Sequence, residues 1–257
     1  MTYTVLAVDA TAGVIGVASV TASLSVGNAV PALDPSAAAV ATQAWTNRSL
    51  RHAVLASIRE GAQPAEALRS ALSSDPGPEY RQVAVLTLGG DSASHTGTLC
   101  TPWAGERRGQ GFVAIGNYLA GAAVLDAAAG VLARLHPEGM PDGAAPTPST
   151  PVLDVSGRPV QSDTPAVRAL SLRLMAALRA AQDAGGDARG ARSACLLVAR
   201  RASAVLSPPE LDVDLRVDDG ADPVGELERL LDLRLSQNEA PALPARTDRT
   251  SVRPRRD

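Results

Sequence analysis

Lysine is absent from this 257-residue chain; all 24 residues counted as Lys or Arg are arginine. That absence excludes a phosphate-loop NTPase, a Schiff-base lysine enzyme, a Ser/Lys hydrolase and a protein-kinase core, each of which needs an ammonium group at a fixed position. Aromatic residues number only six, while 48 residues are Ala, so the packed layers must be thin and held by many small contacts. The two cysteines, Cys100 and Cys195, stand far apart with no CxxC, which leaves no disulfide framework or zinc site to read and suits a reducing cytoplasm. The three histidines, His52, His95 and His136, lack metal-ligand spacing, and GxSxG is missing, which removes the usual nucleophile elbow. No metal or cofactor is expected. The most apolar long stretch, residues 111–135, is interrupted by Asn117, Asp126 and Arg134, and the N-terminus has no charged leader, so neither a membrane span nor a signal peptide is expected.

Formal net charge is −3, and residues 240–257 carry five Arg against two acids, so the body of the chain is acidic and nucleic acid is not an expected partner. The length fits one large unit or two small ones. We read one compact unit over 2–235 with two appendages. Between 136 and 163 there are six Pro and three Gly, which cannot sustain helix or sheet and read as a surface loop; the Pro- and Arg-rich tail 240–257 reads as disordered.

Residues 2–8 and 14–20 are apolar, β-branched runs joined by a turn ending at Gly13, and predict an opening hairpin. A strand is expected over 37–44, helices over 49–60 and 64–73, and strands over 82–88, 92–97 and 111–115. An Ala-rich helix follows over 120–135. Thr164 as N-cap, Pro165 at the first position and Gly185-Gly186 as the stop bracket a long helix; a strand over 193–199 and a helix over 223–235 close the body. Strands, then helices, then strands again predict an antiparallel α+β layer fold. GQGFVA at 109–114 matches a dinucleotide fingerprint in letters only, because no strand precedes it and no helix follows; it reads as a turn. Asp212, Asp214, Asp218, Asp219 and Asp222 miss the calcium-loop pattern and read as a solvated loop.

The chemically suggestive feature is the start. Met1 precedes Thr2, which is small enough for methionine removal, and an N-terminal Thr carries both a nucleophilic hydroxyl and, in its α-amine, a base with a reference pKa of about 7.7–8.0. Met-Thr is also a common start with no catalytic meaning. Elsewhere Gln43, Arg81, Gln82, His95, Thr96 and Asn117 interrupt apolar runs, where burial is costly unless they are paired. Taken singly each reads as a strand-end or turn residue. Taken together they can line one pocket, with Asn117 and a backbone amide as oxyanion donors.

Nine blocks in order carry a family resemblance: Thr2-Tyr3-Thr4, GVAS at 16–19, AVATQAWTN at 39–47, YRQVAVL at 80–86, SHTGTLC at 94–100, PWAG at 102–105, GNYLAG at 116–121, GGDARGARSACLLV at 185–198 and DLRVDDGADPVGELERLLDL at 214–233. They resemble the bacterial domain-of-unknown-function family 1028, which is assigned to the N-terminal-nucleophile (Ntn) hydrolase superfamily. The resemblance implies a four-layer αββα sandwich whose first strand presents the nucleophile. It matches Thr2 to the family's N-terminal Thr, and Gln43, Arg81, Gln82, His95, Thr96 and Asn117 to its characteristic polar positions. The chain departs from the pattern at Thr21-Ala22, where relatives usually carry Ser and a basic or polar residue, and at Ile115, where Gln is common.

The expected function is therefore hydrolysis of a non-peptide amide bond in a small molecule, by a monomer or a homo-oligomer. Thr2 would be the nucleophile, Asn117 the oxyanion donor and His95 an orienting or proton-relaying group. Gln43, Arg81, Gln82 and Thr96 would hold the substrate, with Arg81 taking a carboxylate. The alternative is a catalytically silent ligand-binding or scaffold protein on the same fold.

Overall fold

The computed structural model describes residues 2–134, 164–202 and 210–237. The expectations for Met1, the 136–163 loop and the 240–257 tail fall outside these residues. Ten strands form two antiparallel sheets. The larger contains β1 (Thr2–Asp9), β2 (Val14–Thr21), β7 (Gly105–Gly109), β8 (Phe112–Asn117), β9 (Ser193–Arg200) and β10 (Val213–Val217), in the order β10-β9-β2-β1-β8-β7. The smaller is β3 (Pro31–Asp34), β4 (Ala38–Ala44), β5 (Arg81–Thr87) and β6 (Ser92–Thr96), in sequence order.

Period-2 alternation decides what each strand face meets. On β1, Tyr3, Val5 and Ala7 face helices α4 (Ala123–Arg134), α5 (Pro165–Asp183) and α6 (Pro223–Gln237), where Leu125, Leu174, Leu178 and Leu227 complete the largest apolar cluster. Leu6 and Val8 face the other way and meet Ala41, Ala84 and Leu86 of the smaller sheet. The outer face of that sheet, with Val40, Val83 and Val85, is covered by α2 (Ser49–Arg59) and α3 (Pro64–Ser73) through Leu50, Val54 and Leu68. Ala39, Ala41 and Ala84 are fully buried where the sheets meet, so the Ala-rich composition sets how closely the sheets approach.

The strong local signals behave as expected. Thr164 caps α5 by accepting from the Val167 amide at 3.3 Å, Pro165 opens that helix, and Gly13 takes φ 65° in the first hairpin. GQGFVA spans the hairpin between β7 and β8, with Gly111 at φ 68°.

Five elements are additional: a one-turn helix α1 (Val26–Ala29), a 3₁₀ turn over Pro78–Tyr80, β3, β7 and β10. The acidic run read as a solvated loop is corrected. Its first half is the edge strand β10, where Val213 and Val217 are buried while Asp214 and Arg216 pair outward at 2.6 Å, and Asp212 is buried against Arg200 at 2.9 Å. β7 (GERRG) has no apolar face and is placed by pairing with β8 and by polar contacts such as Arg107 with Asp126 of α4; its charges protect a sheet edge. No helix among the described residues is long and apolar enough to cross a membrane.

Candidate active site

At one end of the two sheets the apolar interior changes character. One pleat step from Leu6, Ile115, Ala41, Ala84 and Val17, the inward-facing positions become Thr4, Asn117, Gln43, Gln82 and Ser19, and one further step brings Thr2 and Thr21. Register joins them: Thr2 lies opposite both Thr21 and Asn117 within the larger sheet, Gln43 opposite Gln82 within the smaller, and Gln82 opposite Thr96.

These buried groups hold one another. The Thr2 hydroxyl donates to Thr21 Oγ1 at 3.2 Å. Gln43 bridges the sheets: its Nε2 donates to the Thr2 carbonyl (3.0 Å) and to Gln82 Oε1 (2.8 Å), while its Oε1 accepts from the Thr4 hydroxyl at 2.6 Å. Gln82 is the hub. Its Oε1 also accepts from Asn117 Nδ2 at 2.9 Å, and its Nε2 donates among Thr96 Oγ1 (3.0 Å), Gly105 O (3.1 Å) and Gly116 O (2.8 Å). Donors on one side and carbonyls on the other allow only this orientation of the amide. Asn117 spends one N–H on Gln82; its second N–H has no partner among the described residues.

Two predicted site residues stand elsewhere. Arg81 precedes Gln82, so its side chain leaves the opposite face of β5; its Nε donates to Asp75 at 3.0 Å and its Nη1 to the Trp45 carbonyl at 2.6 Å. His95 lies opposite Val83, on the face covered by α2 and α3, with Nε2 2.9 Å from the Pro78 carbonyl. The structure therefore does not bring Arg81 or His95 to Thr2, because neighbouring strand residues point to opposite faces. A groove along α3, lined by Glu66, Arg69 and Pro78, likewise lies on that outer side.

Thr4, Ser19, Thr21 and Asp187 join the site without having been predicted for it, Thr21 being noted in the sequence only as a departure from the family pattern. The first three could be found from alternation alone, being polar at every second position of the hairpin. Asp187 is brought in by the tertiary structure: it accepts from the Ala22 amide at 3.2 Å and pairs with Arg189 at 2.9 Å, which places an ion pair one residue from Thr21. Ala44 (φ 69°) and Tyr118 (φ 55°), directly after Gln43 and Asn117, adopt left-handed backbone, which costs a non-glycine residue about 1–2 kcal/mol. Such strain is concentrated where a turn must leave a strand at a set angle beside a site. Burial raises the thiol of Cys195, which lies opposite Ser19, to about 12, so it is inert as a nucleophile. Among the described residues no group of three or more His, Cys, Asp and Glu is placed to hold a metal ion.

Comparison with known proteins identifies the family of the chain. A protein from Silicibacter pomeroyi, whose crystal structure is described as DUF1028, is 31% identical and superposes with a TM-score of 0.69 over 90% of this chain and 85% of its own. The ancestral β-subunit Anbu from Yersinia bercovieri superposes at a TM-score of 0.33 with 9% identity, over 95% of this chain and 99% of that one. No curated protein matches. Residues 2–227 match the family described as "Family of unknown function (DUF1028)", and the chain belongs to that family.

Proposed function

We propose that the chain is an amidohydrolase of the Ntn type, that its helix-on-sheet, sheet-on-sheet and sheet-on-helix packing is the four-layer sandwich of that superfamily, and that Thr2 is its nucleophile. The observation that carries the proposal is the Thr2 hydroxyl at the first position of a central strand, facing between the sheets toward Thr21 and opposite Asn117. Once Met1 is removed, the α-amine of Thr2 takes the hydroxyl proton as Oγ attacks an amide carbonyl. The second N–H of Asn117 faces the developing oxyanion, a role such donors fill when fixed in advance. The ammonium returns its proton to the leaving amine, and water then cleaves the Thr2 ester. Gln43 holds the Thr2 carbonyl and so positions the nucleophile's backbone.

Intact-mass measurement on protein from its native host tests the first requirement, with loss of Met1 expected. Screening amides with the parent and with Thr2→Ala tests the second. Thr2→Ala should abolish turnover at a cost of only about 1–2 kcal/mol in stability, since one buried hydroxyl contact and a methyl are lost. Retained Met1, or a Thr2→Ala protein that turns over like the parent, refutes the mechanism and leaves a binding protein on the same fold.

A further inference from the structure

Four of the six aromatic side chains, Trp45, Tyr80, Trp103 and Tyr118, stand in the connections at the Thr2 end of the sheets, Tyr80 at the end of a 3₁₀ turn. Two are covered by cations, Trp103 under Arg107 and Tyr118 under Arg189. The other two are open: Trp45 is 67% and Tyr80 39% exposed, edge to face with ring centroids 6.2 Å apart, and Leu99 nearby in sequence to His95 and Thr96 is 51% exposed. The pair is rigidly held through its backbone. The Trp45 amide donates to the Tyr80 carbonyl at 3.3 Å, Arg81 grips the Trp45 carbonyl from its ion pair with the buried Asp75, and Leu99 donates to Glu79 O at 2.8 Å. Trp45 lies two residues after Gln43 and Tyr80 two before Gln82, so the Cα of each aromatic residue is at most about 7 Å from the Cα of an amide residue of the Thr2 network.

That network contains hydroxyls, amides and backbone carbonyls; the Arg81 and His95 side chains lie on the other face, and the nearest charges are the mutually paired Asp187 and Arg189, one residue from Thr21. Resting on the Thr2 reading above, the geometry points to Trp45 and Tyr80 as the specificity platform of this site, receiving the aryl or alkyl end of an amide. A protein partner fits less well. Trp45, Tyr80 and Leu99 together offer on the order of 300–400 Å², half or less of the roughly 800 Å² each side of a stable interface contributes. Arg81 acts as a positioning residue for Trp45.

The test uses binding, so it is independent of turnover. In ¹⁵N-labelled Thr2→Ala protein the two Trp indole resonances are assigned by the loss of one in a Trp45→Phe variant, and 4-phenylbutyramide is titrated against acetamide. The Trp45 resonance should move with 4-phenylbutyramide and saturate at a concentration roughly tenfold or more below any effect of acetamide, the factor expected for burying one ring. Trp45→Ala, an exposed truncation that should not impair folding, should remove that preference in ligand-observed saturation transfer. An unmoved Trp45 resonance, an equal response to both amides or unchanged binding by Trp45→Ala overturns the proposal. So does a Trp45 resonance that shifts on dilution of the protein alone with a change in sedimentation, which would assign the pair to contacts between copies. Turnover by the parent reports separately on Thr2.

Discussion

Gln82→Leu is the sharpest probe of how the polar end of the sheets is held. The substitution keeps side-chain volume nearly constant, so the packing change is small. Its effect is to remove the hydrogen bonds that the Gln82 amide now makes with four buried groups: Gly105 O, Gly116 O, Gln43 Nε2 and Asn117 Nδ2. The Thr96 hydroxyl can rotate to another acceptor, and Gln43 Nε2 keeps its bond to Thr2 O. A buried polar group left without a partner costs about 1–3 kcal/mol. With some groups partly compensated, the expected loss is about 3–5 kcal/mol, or roughly 6–20 °C in Tm for a chain of this size. Urea unfolding followed by far-UV circular dichroism should show the midpoint falling with an unchanged m-value. Thr96→Val, which removes one contact only, should cost about 1 kcal/mol. If Gln82→Leu proves no more destabilising than Thr96→Val, Gln82 is not the hub of a closed network and the site is organised some other way.

Three further outcomes are expected. Asn117→Ala should lower kcat roughly 10²–10³-fold on any amide found to turn over if its second N–H meets the oxyanion, whereas a purely structural Asn117 would lower Tm and leave kcat alone. Burial by itself would raise the Asp75 carboxyl, but the Asn47 amide, the Gly77 N–H and the Arg81 guanidinium outweigh it and hold the group below its usual 3.8. Because the folded pKa is lowered, the contact stabilises fully above about pH 3.8 and is lost as pH falls toward the folded value; Asp75→Asn should therefore be less stable than the parent at pH 7, with the difference closing in acid unfolding curves below about pH 3.8. Gly97→Ala would put a Cβ 2.2 Å from the Glu79 carbonyl oxygen, a backbone atom that cannot turn away. It should cost about 1–3 kcal/mol in urea unfolding and displace the Tyr80 turn, read as a moved Trp45 indole resonance; a neutral Gly97→Ala would show that this turn is not packed as described.

Local elements were legible from residues alone wherever one strong signal acts within a few positions. The first hairpin follows from two β-branched runs and a glycine, α3 from Pro64 at its start with Glu66 in its first turn, and α5 from a Thr cap, a Pro start and a double-Gly stop. β7 and β10 were not legible, because GERRG has no apolar stripe and VDLRV sits in an acidic run; edge strands borrow their order from a neighbour's backbone, which leaves little trace in their own side chains.

The polar residues divide for a related reason. That Gln43, Gln82, Thr96 and Asn117 must be paired if buried follows from sequence, since an unpaired amide inside an apolar run is costly. Which of them meet depends on register and on which sheet face each residue occupies, and both are set by contacts between strands far apart in the chain. A one-residue difference therefore separates Gln82, at the centre of the network, from Arg81, which leaves the opposite face to hold Asp75 and Trp45. His95 and Thr96 part in the same way. The sequence by itself determined the chemistry available at this end of the molecule; only the tertiary structure decided which groups share a face, because side-chain direction alternates at every residue while pairing is fixed over the whole sheet.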